Sequence, residues 1–564
     1  MWQIAIILVI YVPLVIMTGH YLYHVTMGQK TWLDPVLNRV DHVIYKLSGI
    51  KNVNMTGKQY VLALILTNAF MVFIGYVLLR VQSYLFLNPN GIENMDATLS
   101  FNTIISFMTN TNLQHYSGES GLSYLSQMLV ITFMMFTSAA TGYAACMAFC
   151  RRLVAKTDSL GSFFVDFVRV ITRVLMPISI IVSIILVSQG SPQTFSANKT
   201  VHTIEGNMQD ISLGPIASLE SIKHVGTNGG GFNGANSTTP FENPTVITNI
   251  IEMLSMMLLP GACVVVFGLM VANRRKKPLF GKQGFVIFAA MSILFLIGLV
   301  TCYTAEQAGN PIITKLGITQ ELGSMEGKEM RFGVAQSALF TEVTTAFTTG
   351  SVNNMHDTLT PIGGLVPLFN MMLNVVFGGK GVGLMNMMMY VFLTIFIACL
   401  MIGRTPQFLG KKIEEKEMKL IAICILIHPA IILLFSALAV STSAGVEGIT
   451  NPGAHGLSQV LYEFASSSAN NGSGFEGLAD NSTFWNVTTG LAMFFGRYLS
   501  IILQLAIASL LAKKILHSES TGTLKTDNAM FAFLLVGIVV MIGALTFLPA
   551  LALGPITEHL QIYF

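Results

Sequence analysis

The chain has 564 residues, 52% hydrophobic and only 10% charged, with a mean hydropathy of +0.65. A soluble domain carries about 25% charged residues, so most of this surface must be hidden from water and a soluble fold is excluded. The net charge of +3 is too small for a nucleic-acid binder and points instead to a lipid bilayer as the surroundings.

In chain order, ten apolar runs are long enough to cross a bilayer at about 1.5 Å per residue: 2–24, 60–80, 121–149, 161–188, 246–272, 284–303, 362–402, 418–441, 484–516 and 527–551. The first has no basic leader region and no small-residue cleavage site, so it reads as a retained helix. Basic residues fall in alternate connections: Lys30, Arg39, Lys46, Lys51 and Lys58; Arg151, Arg152 and Lys156; Arg274–Lys277; Arg404, Lys411, Lys412, Lys416 and Lys419; Lys513, Lys514 and Lys525. The positive-inside rule makes that side cytoplasmic and puts both termini outside. The six cysteines lie in or beside apolar runs and read as packing residues. Cys146 and Cys150, at i and i+4, form at most one edge of a metal site.

On the opposite side lie four loops rich in Gly, Asn and Thr: TNTNLQ (109–114), GTNGGGFNG (226–234), TTGSVN (348–353) and ANNGSG (469–474). Measured from Asn110 to Gly229 to Gly350 to Asn471, they recur about every 120 residues, the internal repeat expected of transporter chains. Each follows a short helix-competent stretch and precedes an apolar run. Gly tolerates positive φ, and Thr and Asn add side-chain oxygens, so such loops can offer oxygen atoms to a dehydrated cation. GGGFNG and GSGFEG match a dinucleotide-binding pattern, but neither sits in a βαβ unit and both are set aside.

The fold expected is therefore an all-α polytopic membrane protein with ten transmembrane helices. Four repeats of outer helix, re-entrant pore helix, filter loop and inner helix stand in pseudo-fourfold arrangement, with one extra helix at each end. The repeat boundaries expected are 59–156, 157–282, 283–416 and 417–516, flanked by 1–58 and 517–564. Helix C-termini aimed at one point favour a cation there, and the absence of carboxylates from the loop cores favours K⁺ over a divalent ion. Glu220, Glu342 and Glu463, eight or nine residues upstream, are expected to brace the pore helices.

TNTNLQ, GTNGGGFNG, SVNNMHD (351–357), SSANNGSGFEGL (467–478) and GRTPQFLGKKIE (403–414) resemble the KdpA family across the whole chain. These are the potassium-binding subunits of bacterial Kdp potassium-transporting ATPases, within the superfamily of K⁺ transporters. The resemblance implies filter positions Asn110, Thr111, Asn112 and Gln114; Thr227, Asn228 and Gly229; Thr348, Thr349 and Gly350; and Asn470, Asn471 and Gly472. Thr348-Thr349-Gly350 stands where the family often has Ser-Cys-Gly, and Leu113 where an aromatic is common. The resemblance also implies a P-type ATPase catalytic subunit and small accessory membrane subunits as partners, K⁺ as the transported ion, and residence in the bacterial plasma membrane. This chain itself carries no phosphate-cradling motif and no Asp-Lys-Thr-Gly, so it is expected to be non-catalytic, without an organic cofactor. In the family the ion leaves sideways into the ATPase subunit.

The seventh run is interrupted by FGGKGVG (377–383), whose glycines should break the helix near mid-membrane. Gly378, Gly379, Lys380 and Gly381 read as a barrier below the third loop. The alternative is a kink with Lys380 paired to an acid or snorkelling. Arg497 is expected to pair with a pore-helix acid. Two rival functions are a stand-alone K⁺ channel or symporter of the same superfamily, and a membrane-embedded enzyme. The second needs a polar cluster at mid-membrane that the sequence does not display.

Overall fold

A computed structural model describes residues 2–154, 160–272, 279–518 and 523–564. Ten helices among them are long and apolar enough to span a bilayer. In chain order the elements are α1 (Trp2–Thr26), α2 (Asp34–Leu47), α3 (Gly57–Arg80), α4 (Ala97–Met108), α5 (Tyr124–Val154) and α6 (Phe163–Ser188). Then follow α7 (Ile216–Val225), α8 (Val246–Ala272), α9 (Lys282–Ala308), α10 (Gly333–Ala346), α11 (Pro361–Leu373) and α12 (Val382–Met401). The last four are α13 (Glu415–Ser441), α14 (Ala454–Ala469), α15 (Thr483–Ala512) and α16 (Ala529–Leu551).

The expected long seventh span is two helices. α11 and α12 are separated by residues 374–381, and only α12 meets the length of a span. Asn374 ends α11 in a left-handed conformation (φ 50°) and Gly381 opens α12 with φ 85°, so the break is set by residues that tolerate positive φ. The sheet content is two small ribbons: Lys199–His202 pairs antiparallel with Met208–Ile211, and Gln407–Phe408 with Lys411–Lys412.

Small residues let the spans approach closely. On α8, Gly261 faces Tyr11 and Val15 of α1. A Cβ on Gly284 of α9 would come within 2.6 Å of the Gly268 Cα, so neither glycine can grow without parting α8 from α9. Helices α8, α5, α12 and α15 are the most enclosed spans, whereas α1, α3 and α13 are largely exposed on their outer sides. The interior therefore sits around the four short helices α4, α7, α10 and α14.

The basic connections gather at one end of the bundle. Lys411 Nζ donates to the Leu153 carbonyl (2.7 Å), His517 N to Gly410 O (2.8 Å), Met55 N to Gly161 O (2.9 Å) and Gln283 Nε2 to Thr526 Oγ1 (2.8 Å). Lys156 and Arg274–Lys277, part of the same charge pattern, lie outside the described residues.

Candidate functional site

Each of the four short helices ends the same way. Within two residues of the helix end the chain turns left-handed: Asn110 (φ 64°), Thr227 (φ 44°), Thr348 (φ 47°) and Asn470 (φ 58°). The next amide reaches back five residues: Thr111 N to Ser106 O (2.9 Å), Asn228 N to Lys223 O (2.7 Å), Thr349 N to Thr344 O (2.8 Å) and Asn471 N to Ser466 O (2.9 Å). This closure satisfies a terminal carbonyl and throws the following backbone across the helix end. It also corrects the repeat register. Asn110 is equivalent to Thr227, Thr348 and Asn470, while Gly229 and Gly350 correspond to Asn112 and Gly472. The spacing from Asn110 to Gly229 to Gly350 to Asn471 mixed three positions, because Asn and Gly occur at several positions of these loops and composition does not rank them.

The four loops meet. A Cβ built on Gly229 would lie 2.8 Å from Thr349 O, 2.9 Å from the Gly350 Cα and 3.0 Å from Asn471 O. One on Gly230 would lie 2.9 Å from Asn112 O, and one on Gly472 would overlap Thr111 O. Gly350 and Gly472 take φ of 99° and 109°, and Asn112 takes 62°. Gly229 is not among the positive-φ residues, so its requirement for glycine is one of space. The carbonyls of Thr111, Asn112, Asn228, Thr349 and Asn471 belong to fully buried residues and receive no hydrogen bond among the described residues. Both amide atoms of the buried Asn112 side chain are likewise without a partner.

The other asparagine side chains knit loop to loop. Asn110 Nδ2 donates to Thr227 O (2.6 Å), Asn470 Nδ2 to Thr111 Oγ1 (3.0 Å) and Asn471 Nδ2 to Thr344 O (2.9 Å). Gln114 exchanges two bonds with Gly231, accepting from its N–H (2.8 Å) and donating to its carbonyl (3.1 Å). Thr348 Oγ1 bonds the Asn374 side chain at 3.3 Å. Asn236, which no sequence pattern singled out, donates from Nδ2 to Gly229 O (2.8 Å) and holds φ at 58°.

Outside the loops is a cavity of about 320 Å³ lined by Gln114, His115, Gly350, Gly472, Glu476 and Asp480, among others. His115 Nε2 lies 3.2 Å from Glu463 Oε1 and 3.9 Å from Asp480 Oδ2, and Nδ1 bonds Asn486 Oδ1 at 2.7 Å. Burial pulls the His115 imidazole down, but Asp480 and Glu463 outweigh it and hold the pKa up at about 9.

Below the loops stands Lys380. Its ammonium donates to Asn110 Oδ1 (2.8 Å), to the Gly226 carbonyl and to Thr227 Oγ1 (3.3 Å). It therefore hydrogen-bonds the second loop and the first, in a small space that Thr348 of the third loop also lines. Among the described residues it is paired with no acid, and it does not snorkel, being 2% exposed among neutral oxygens. The Gly226 carbonyl closes the C-terminal end of α7, where the helix dipole is negative and favours a positive charge on the lysine. Arg497 shares a small cavity with Lys380, Asn110 and Asn470. Its recorded bond is Nη2 to Ser138 O at 3.5 Å, and no carboxylate pairs with it among the described residues, contrary to the expected acid partner.

The pore-helix acids do brace. Lys223 Nζ holds Glu220 (2.9 Å) and Glu242 (3.0 Å), Asn370 Nδ2 donates to Glu342 (2.9 Å), and Glu463 meets His115. With His224 and Glu252, the residues around Lys223 form a buried polar cluster. The sequence hid it because its members come from α7, α8 and the connection between them. Cys146 and Cys150 face each other with sulfurs 4.0 Å apart and are free.

The family described as KdpA, Potassium-transporting ATPase A subunit, matches residues 5–560. The chain is 59% identical to the potassium-transporting ATPase potassium-binding subunit of Clostridium acetobutylicum and 56% identical to that of Geobacillus kaustophilus, each over 99% of both chains. Among solved structures, it is similar to the potassium transporter TrkH of Vibrio parahaemolyticus, with a TM-score of 0.50. That likeness covers 76% of this chain and 83% of that one at 13% identity, so it speaks for the fold alone.

Proposed function

The chain belongs to the KdpA family of potassium-transporting ATPase A subunits, and from that premise we propose that it is the ion-selecting, non-catalytic subunit of an ATP-driven K⁺ uptake complex. The observation that carries this reading is the set of buried, donor-free backbone carbonyls contributed by four loops to one centre. Buried carbonyls need a partner, and a dehydrated K⁺ replacing its water shell with them supplies one. In this reading Asn110 to Asn112, Thr227 to Gly229, Thr348 to Gly350 and Asn470 to Gly472 form the filter, and Gln114 ties its first wall to its second. Neutral oxygens suit a monovalent ion. The acidic mouth outside concentrates cations without binding them tightly.

Lys380, with Gly378, Gly379 and Gly381, closes the straight route inward. An ion that has passed the filter meets an ammonium already occupying the end of α7, so it must leave sideways, toward a P-type ATPase subunit. The sequence lacks any phosphorylation motif, so energy comes from that partner, and small accessory membrane subunits complete the assembly. The chain resides in the bacterial plasma membrane with the basic end cytoplasmic and both termini outside. It is built of quarters 59–156, 157–282, 283–416 and 417–516 with flanking segments 1–58 and 517–564.

The test is uptake of K⁺ into proteoliposomes. The complete complex is expected to accumulate K⁺ on addition of ATP, and this chain alone is expected to show neither ATP turnover nor uptake. Downhill K⁺ flux through the isolated chain at the rate of a channel would overturn the reading in favour of a stand-alone transporter.

A further inference from the structure

Helix α2 (Asp34–Leu47) is amphipathic in an unusual sense, because its polar face is the one turned to the protein. Asp34, Asn38 and Asp41 all converge on Arg173 of α6. Arg173 Nε donates to Asp34 (3.0 Å), Nη2 to Asn38 Oδ1 (2.6 Å) and Nη1 to Asp41. Thr172 Oγ1 adds a bond to Asp41 at 2.9 Å. The opposite face carries Val36, Val40, Val43 and Leu47, spaced i, i+4, i+7 and i+11, and Trp32 precedes them on the same line. All five are exposed, from 43% at Val40 to 82% at Leu47.

The level of this helix is fixed. Arg173 is the last charged residue of α6, whose residues 174–188 carry no charge, and its carbonyl accepts from Tyr21 OH (2.8 Å) near the end of α1. That is the boundary between the apolar belt and the basic end of the bundle. The charge is equally one-sided. Between Gly28 and Lys58 the acids are Asp34 and Asp41 alone, and Arg173 holds both. Lys30, Arg39, Lys46, Lys51 and Lys58 are all exposed, with Arg39 and Lys46 two turns apart along one edge of the apolar stripe.

We propose that α2 lies in the plane of the bilayer surface, with Trp32 and the Val36–Leu47 stripe among the acyl chains and Arg39 and Lys46 binding anionic phospholipid headgroups. An apolar stripe flanked by cations at the depth of the headgroups is the arrangement that seats a helix about 5–10 Å into the interface. Pinning by Arg173 pre-sets the rotation, so the seating costs little further order. The anionic character of the lipid rests on the proposed cytoplasmic sidedness of this end. The in-plane seating does not.

The experiment uses the complete complex in lipid nanodiscs. All six cysteines of this chain are buried, so a nitroxide placed on the purified chain before assembly with its partners, at Val40→Cys or, should that variant fold poorly, at Leu47→Cys, reports one site. Collision with molecular oxygen is expected to exceed collision with a water-soluble nickel chelate. Spin-labelled phosphatidylglycerol should associate more strongly than phosphatidylcholine, and Arg39→Gln with Lys46→Gln should lower that preference by up to about five-fold per charge. A nickel-accessible label means the stripe faces water, and a label shielded from both reagents means a protein subunit covers it. Either result overturns the proposal. Reaction of Lys51→Cys with an impermeant thiol reagent from outside sealed vesicles would reverse the sidedness alone, and the oxygen-to-nickel contrast would still decide the seating.

Discussion

The two sides of the loop centre are built from opposite charges. Above it, His115 is held between Glu463 and Asp480, and Glu476 lines the same cavity. Below it, Lys380 and Arg497 share a small space with no carboxylate partner among the described residues. A simple channel has no use for unpaired cations on its inner side, since they repel what it conducts. An acidic entrance over a basic floor supports the proposed reading, in which the subunit collects an ion, holds it and denies it the direct exit. In such a molecule the cost of burying Lys380 is offset locally by the Gly226 carbonyl and Asn110.

The widest effect is expected from removing the floor. An ammonium about 4 Å from a passing K⁺ opposes it by about 4 kcal/mol at an effective dielectric of about 20. Lys380→Ala is therefore expected to raise ATP-independent K⁺ flux by up to on the order of 1000-fold while leaving ion affinity near that of the parent. Unchanged coupling in vesicles would dissolve the contrast between mouth and floor. Next in size is the boundary between them. Gly229→Ala pushes a methyl group toward Thr349 O and Asn471 O. Displacing one interaction with a charge is worth about 1.5–3 kcal/mol, so K⁺ affinity should fall roughly 10- to 100-fold. Parent affinity in this variant, measured by calorimetric titration, would mean the loops do not enclose the ion.

The mouth makes a smaller, pH-dependent contribution. With its pKa raised from 6.5 to about 9, His115 stabilises the folded chain fully below about pH 6.5 and loses that contribution as pH climbs through about 9. Screening at the 26% exposed Asp480 side chain limits it to on the order of 1–2 kcal/mol. Thermal unfolding followed across pH 6 to 10 should show this decline in the parent and lack it in His115→Gln. The same decline in the variant would assign it elsewhere. His455, held by Asp357 and Glu558 against its burial at a pKa of about 10, declines later and provides the internal control. The smallest change expected is from Asn236→Ala, which removes the donor on Gly229 O. A single neutral hydrogen bond is worth about 0.5–1.5 kcal/mol, which predicts a two- to ten-fold loss of K⁺ over Rb⁺ preference in competition assays.

Local chemistry was legible in the sequence wherever it repeats. Span lengths, the alternation of basic connections and the four loops all follow from composition over short windows. The ends of the spans moved by only a few residues at most of their boundaries. Register within the loops was not legible, because Asn110, Gly350 and Gly472 can each hold positive φ and composition cannot rank them. Only the five-residue backbone closure does that. Long-range pairing was also out of reach. Lys380 meets Asn110 across a separation of 270 residues, and Arg497 meets no acid at all among the described residues, though a buried arginine is usually paired. The same holds for Arg173, whose partners on α2 lie more than 130 residues earlier.

The equivalence of Asn112 with Gly229, Gly350 and Gly472 has a bearing on how such a site can change over generations. In a pore assembled from four copies of one gene product, a codon change alters every wall together, and selectivity moves in leaps or fails. Here each wall has its own codon. One corner carries an asparagine with an uncommitted amide while the other three have glycine. If the four loops form the proposed filter, mutation can tune a single quadrant and leave the remaining three to hold the ion, so affinity can drift in small heritable steps that a homotetramer is denied.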